Sequence, residues 1–140
     1  MRIEWDARYN IADEQINRQH KYLFQLANRF LAADTKSELL DCAQCLFEYT
    51  QSHFAFEEAL MLEHHFPQYE QHVISHQHLI DRLAALRGHI SGDSLDKLEL
   101  KNFMGHWALF HIPEADARLA DYLVEGDTQR AELAPGNSMR

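Results

Sequence analysis

This chain is short of residues that break or staple a backbone. It has three prolines, five glycines and two cysteines among 140 residues. With few breakers and an abundance of Leu, Ala, Glu, Gln and His, the composition favours helix. The two cysteines, Cys42 and Cys45, make one CxxC. A thioredoxin-type motif needs a strand before it and a helix start at its first cysteine. Here the pair falls inside a helical pattern, so both are read as helix residues that pack or face outward. The N-terminal MRIEWDARYN has no apolar core of a secretory signal, and no run approaches the length of a membrane span. A soluble, cytoplasmic protein with no membrane partner is the expectation. Positive charge is scarce as well. The formal net charge is −9, which argues against nucleic acid as a partner, because phosphates need clusters of Lys and Arg. The acidity reads as solubility.

What is present is a core. A hydrophobic fraction of 46% in 140 residues predicts one globular domain. Residues 1–12 show no sustained period and read as an N-terminal arm, which Trp5, Tyr9 and Ile11 can pin to the rest. Apolar residues then recur at helical spacing in four stretches. These run from about Asp13 to Ala33, Ser37 to His65, Gln68 to His89, and Asp93 or Ser94 to Val124. Pro67, Gly92 and Gly126 punctuate them. The domain is expected over 1–126, with a loose polar tail over 127–140. Four helices on short connections predict an all-α fold, an antiparallel up-down-up-down four-helix bundle with an N-terminal arm.

On these helices stand His20, the pair His53 and Glu57, the pair His72 and His76, and the pair His111 and Asp116. Positions four apart on a helix lie on one face, one turn up. Imidazole and carboxylate together are ligands for Zn, Fe, Mn, Ni or Cu. A lone histidine on an apolar face is usually a packed core residue. Several buried together are costly without metal, because each has two ring nitrogens to satisfy. Seven ligands exceed what one ion takes and suit two ions bridged by carboxylates. His111 and Asp116 are five apart, about 140° around a regular helix. They share a site only if the helix is locally widened, bent or broken, and Pro113 lies between them. His64, His65, His78, His89 and His106 read as solvated or helix-capping, His106 beside Trp107 being the least settled.

The stretches QINRQHKYLF, HFAFEEALM, FPQYEQHVISHQHL and WALFHIPEAD resemble, in that order, the bacterial haemerythrins (hemerythrins, bacteriohemerythrins). The resemblance covers roughly residues 5–123. It implies a non-haem di-iron centre that binds dioxygen reversibly for carriage, storage or local delivery. Carried over by motif, His72, His76 and His111 hold one Fe ion, and His20 and His53 hold the other. Glu57 and Asp116 bridge them, with an oxo or hydroxo group as third bridge. An apolar pocket for O2 falls on Leu23, Phe54, Trp107, Ala108 and Ile112. The alternative is an enzyme or sensor at the same residues that reacts with peroxide, nitric oxide or another small oxidant. Three positions depart from the family pattern. Ala12 stands for a usual Gly and Asn17 for a usual Asp. Ala108 stands for a usual Leu, which opens space beside the expected O2 site and favours the alternative. A ferritin-like di-iron oxidase is discounted because the chain has no Glu-xx-His pair, and a metalloprotease because it has no HExxH.

Overall fold

The computed structural model describes residues 3–133; the side chains of residues 108–110, 113–114 and 127–133 lie outside that description. Among the described residues the chain is all-helical, with no strand. The helices are α1 (Glu14–Ala32), α2 (Lys36–Glu63), α3 (Tyr69–Ser91), α4 (Lys97–His106) and α5 (Ala117–Leu133). Between α4 and α5, Trp107–Asp116 continues the rod as a π-helix.

Local chemistry sets most of the boundaries. Asp13 starts α1 by accepting the Ile16 N–H at 2.9 Å. Thr35 starts α2 by accepting the Glu38 N–H at 3.1 Å and donating its hydroxyl to the Glu38 carboxylate at 3.0 Å. Each cap satisfies a backbone donor that has no partner inside its helix. His65, at φ 55°, turns the chain out of α2 just before Pro67. The fourth helix starts later than the sequence suggests. Its cap is Asp96, which accepts the Leu98 N–H at 2.9 Å, and not Asp93 or Ser94. Asp93 sits in the left-handed region at φ 57°, and the Ser94 N–H bonds back to the His89 carbonyl at 2.8 Å. The last helix also ends later. α5 passes Val124 and Gly126 and continues to Leu133, so residues 127–133 belong to a helix rather than to a loose tail. A single glycine costs a helix only about 1 kcal/mol, and no proline follows until Pro135.

The N-terminal arm is pinned to α1 by side-chain amides. Asn17 accepts the Ile11 N–H and donates to the Ile11 carbonyl, both at 2.9 Å. Asn28 does the same for Ile3, at 2.7 and 2.8 Å. Trp5 and Tyr9 pack their rings on Phe24, with centroids 5.2 and 5.8 Å away. Lys97 donates to the carbonyls of Leu31 and Ala33, capping the end of α1 from another helix, where a cation also suits the helix dipole.

Two apolar clusters form the core. The larger holds Leu23, Phe24, Phe30, Leu46, Phe54, Leu79, Leu83, Phe103 and Trp107. The smaller holds Ile16, Met61, Phe66, Leu119 and Leu123. Burial of side chains this size is worth about 1.5–3 kcal/mol each. Along α1 the order is Ile16, His20, Leu23; along α2 it is Phe54, Glu57, Met61. The polar groups therefore occupy a layer between two greasy ones.

Candidate metal centre

His20, His53, Glu57, His72, His76, His111 and Asp116 all sit in that layer, and none is more than 5% exposed. They fall into two groups whose ligand atoms lie within 4.8 Å of one another. One is His72, His76, His111, Glu57 and Asp116; the other is His20, His53, Glu57 and Asp116. Both carboxylates belong to both groups. Glu57 turns Oε1 toward the Nε2 atoms of His76 (2.9 Å) and His72 (3.5 Å), and Oε2 toward Nε2 of His53 (3.5 Å). Asp116 turns Oδ1 toward Nε2 of His72 (2.9 Å) and His111 (3.0 Å), and Oδ2 toward Nε2 of His20 (3.0 Å).

The five-residue step from His111 to Asp116 is explained by the π-helix. Its bonds run to the fifth residue, as the Ala117 N–H to the Ile112 carbonyl shows. Positions five apart then stack as positions four apart do in an α-helix. This is the widening that the spacing demands.

Most of these polar atoms meet nothing in hydrogen-bond geometry. Nε2 of His20, His53, His76 and His111, both oxygens of Glu57 and Oδ2 of Asp116 are buried without a hydrogen-bond partner. They converge on shared points instead of on each other. Buried polar groups normally find partners, and a nitrogen-oxygen donor set around two points fits divalent cations. The donors thus pass a chemical test for a metal pair.

The electrostatics agree. Burial alone pushes the Glu57 carboxyl up, as does Asp116, but His53, His72 and His76 outweigh them and hold it at about 2. Asp116 is likewise raised by burial and lowered further by His111, His20 and His72, ending well below the usual carboxylate range. Burial lowers His53 to about 4. Burial also lowers His72, but Asp116, bonded to its Nε2 at 2.9 Å, and the nearby Glu57 carboxylate outweigh it and raise it to about 9.

Residues 12–123 match the model of the hemerythrin HHE cation binding domain. The chain belongs to the hemerythrin family. It is 31% identical to a bacteriohemerythrin of Stenotrophomonas maltophilia over 85% of this chain and 80% of that one. It is 29% identical to a bacteriohemerythrin of Pseudomonas aeruginosa, with the same coverage. A hemerythrin-like protein of Naegleria gruberi is 26% identical over 83% of this chain and 89% of its own.

In this hemerythrin domain a second set of side chains orients the histidines, and the sequence reading missed it. Gln19 Oε1 lies 2.6 Å from His53 Nδ1. Glu58 Oε2 lies 2.9 Å from His76 Nδ1. Ser75 Oγ lies 2.8 Å from His111 Nδ1. A partner on the far ring nitrogen fixes which nitrogen faces a metal. The available signal was adjacency, since Gln19, Glu58 and Ser75 each neighbour a clustered residue in sequence. Each serves a histidine on a different helical segment rather than its own neighbour.

Four of the five residues expected to form an apolar wall have described side chains. Leu23, Phe54, Trp107 and Ile112 are buried in one cluster. Trp107 packs on His20 and His53, with centroids 5.5 and 6.1 Å apart. Phe54 stacks on His76 at 3.8 Å. The Ala108 side chain lies outside the described residues. The departure at Asn17 serves the arm, because an amide can both donate to and accept from Ile11 where a carboxylate only accepts. Cys42 packs against the core and Cys45 is exposed, both as free thiols on α2. Among the described residues no helix is long and apolar enough to cross a membrane.

Proposed function

We propose that this chain holds two iron ions and binds dioxygen reversibly, for carriage, storage or local delivery. His72, His76 and His111 would hold one ion, and His20 and His53 the other. Glu57 and Asp116 would bridge both. The observation that carries this reading is the division of each carboxylate, one oxygen toward each histidine group. When bound, the iron pair supplies the electrons that reversible O2 binding requires. The group with two histidines has fewer protein donors, so the small ligand is assigned to that side.

The chain's own residues set the conditions. Trp107 and Phe54 press on the rings of His20, His53 and His76 and exclude water beside them. Leu23 and Ile112 extend the same dry wall. A dry wall denies a bound small molecule the protons and solvent that would destroy it. Gln19, Glu58 and Ser75 hold three imidazoles in the tautomer that leaves Nε2 free. The proposal includes the up-down-up-down arrangement expected of short connections between long helices, and a soluble cytoplasmic setting.

The decisive experiment is the visible spectrum of the reduced protein, recorded without air, with air, and after air is removed again. Reversible binding predicts a band that appears with oxygen and leaves with it. No band at all would contradict the proposal. A second reading, an enzyme or sensor for peroxide or nitric oxide, rests on Ala108, where the family usually has Leu. It predicts a band that decays quickly and does not return, and slower decay in Ala108→Leu.

A further inference from the structure

Behind the three-histidine group the structure contains a cavity of about 310 Å³. Its inner wall includes His72, His111 and Ser75; its outer part includes Arg82, Arg118 and His78. The outer three are exposed, so the cavity opens to solvent. Neither His20 nor His53 lines it, and neither do Leu23, Phe54 or Trp107. It is therefore separate from the apolar wall assigned to the small ligand.

Its charge runs against that of the molecule. The chain carries 22 Asp and Glu against 13 Lys and Arg, yet among the described residues no carboxylate lines this cavity, while two arginines do. Neither Arg82 nor Arg118 forms an ion pair with a described residue. Arg82 lies over the Phe103 ring, 5.2 Å from its centroid, which holds the guanidinium by its face and leaves its N–H edge for another partner. The inner wall is polar as well. Ser75 already serves His111, whereas His72 Nδ1 is buried without a partner. Guanidinium groups pair with planar oxyanions through two parallel hydrogen bonds. The volume is at the small end of ligand pockets, which begin at about 300 Å³.

The geometry points to a binding site for a small oxyanion, a carboxylate or a phosphate, held by Arg82 and Arg118 against the back of His72 and His111. The anion sits outside the metal ligand set, one imidazole away from it. Occupancy and metal retention are then coupled through His72 and the Ser75–His111 contact, and such coupling is reciprocal. The inference rests on the cavity and not on which ions the centre takes.

The test is calorimetric titration of the purified metal-loaded protein with inorganic phosphate, and separately with succinate, at low ionic strength. One saturable site per chain is expected, weakened at least about tenfold by Arg82→Ala and by Arg118→Glu. Arg87→Ala is the control, since Arg87 lies over Phe47 outside the cavity, and it should bind as the parent does. Whichever probe binds more tightly identifies the oxyanion chemistry. Far-UV circular dichroism and metal content equal to the parent's show that the variants remain folded. No saturable binding up to about 10 mM of either probe, or binding that both arginine variants leave unchanged, overturns the proposal.

Discussion

Glu58 on α2 reaches across to α3 and bonds His76 Nδ1 at 2.9 Å, while its neighbour Glu57 faces the Nε2 side of the same ring at 2.9 Å. One imidazole is thus held between adjacent carboxylates, one in the metal layer and one behind it. Gln19 with His53 and Ser75 with His111 repeat the supporting half of this arrangement. Removing such partners typically costs about 10- to 100-fold in metal affinity. Glu58→Gln, Gln19→Leu and Ser75→Ala should each fall in that range with helicity unchanged. Competition with a chromophoric chelator measures it, and parent-like affinity in all three would show that these contacts do not orient the ligands.

The two carboxylates should behave differently from the histidines. Glu57 and Asp116 belong to both groups, whereas His76 belongs to one. Asp116→Ala should therefore weaken retention of both ions, and His76→Ala mainly one. Metal analysis after dialysis distinguishes these outcomes. Loss of a single ion in Asp116→Ala, with the second held as in the parent, would remove Asp116 as a shared ligand.

Acid and base should act on the metal-free protein in opposite senses. Between about 4 and 6.5 the unfolded chain binds the His53 proton and the folded chain does not, so stability rises with pH. Glu57 acts in the same direction between about 2 and 4.5. Between 6.5 and about 9 the folded chain keeps the His72 proton and the unfolded chain does not, so stability falls with pH. These groups place the maximum near pH 6.5, which urea titrations across the range would locate. Metal must displace the His72 proton, so affinity should rise from pH 7 to 9 and binding should release protons. Calorimetry in buffers of different ionisation enthalpy reads that release, and a flat affinity across the interval would contradict it.

The arm clamp makes a separate prediction. Asn17→Asp restores the residue usual in the family but loses the donor to the Ile11 carbonyl. The bond is part-buried, and losing a net hydrogen bond of this kind costs about 0.5–1.5 kcal/mol. The variant should unfold at lower denaturant, and hydrogen exchange should quicken at Ile11. Unchanged exchange there would mean that the amide clamp does not hold the arm.

The parts legible in the sequence were those with a period. His53 with Glu57 and His72 with His76 stand out because a helix brings every fourth residue to one face. The break in that period, five residues from His111 to Asp116, called for a helix widened, bent or broken there, and the structure supplies the widening as a π-helix. Gln19, Glu58 and Ser75 were not legible, because they act across helix interfaces on histidines 34, 18 and 36 residues away. No local pattern encodes such a pairing. The start of α4 was misread because GDSLD offers several cap residues, and Asp96 is the one placed after Leu95 docks on the core. The end of α5 was misread because Gly126 was given more weight than a single glycine carries. Arg82 and Arg118 stand on different helices, and only folding brings them to one cavity.

The central claim is a pair of ions sharing Glu57 and Asp116. Its most direct test is the iron content of protein reconstituted anaerobically with ferrous iron and freed of excess. The account predicts close to two irons per chain, falling together in Glu57→Ala while circular dichroism reports intact helices. One iron per chain in the fully helical parent, or an unchanged two in Glu57→Ala, would contradict it.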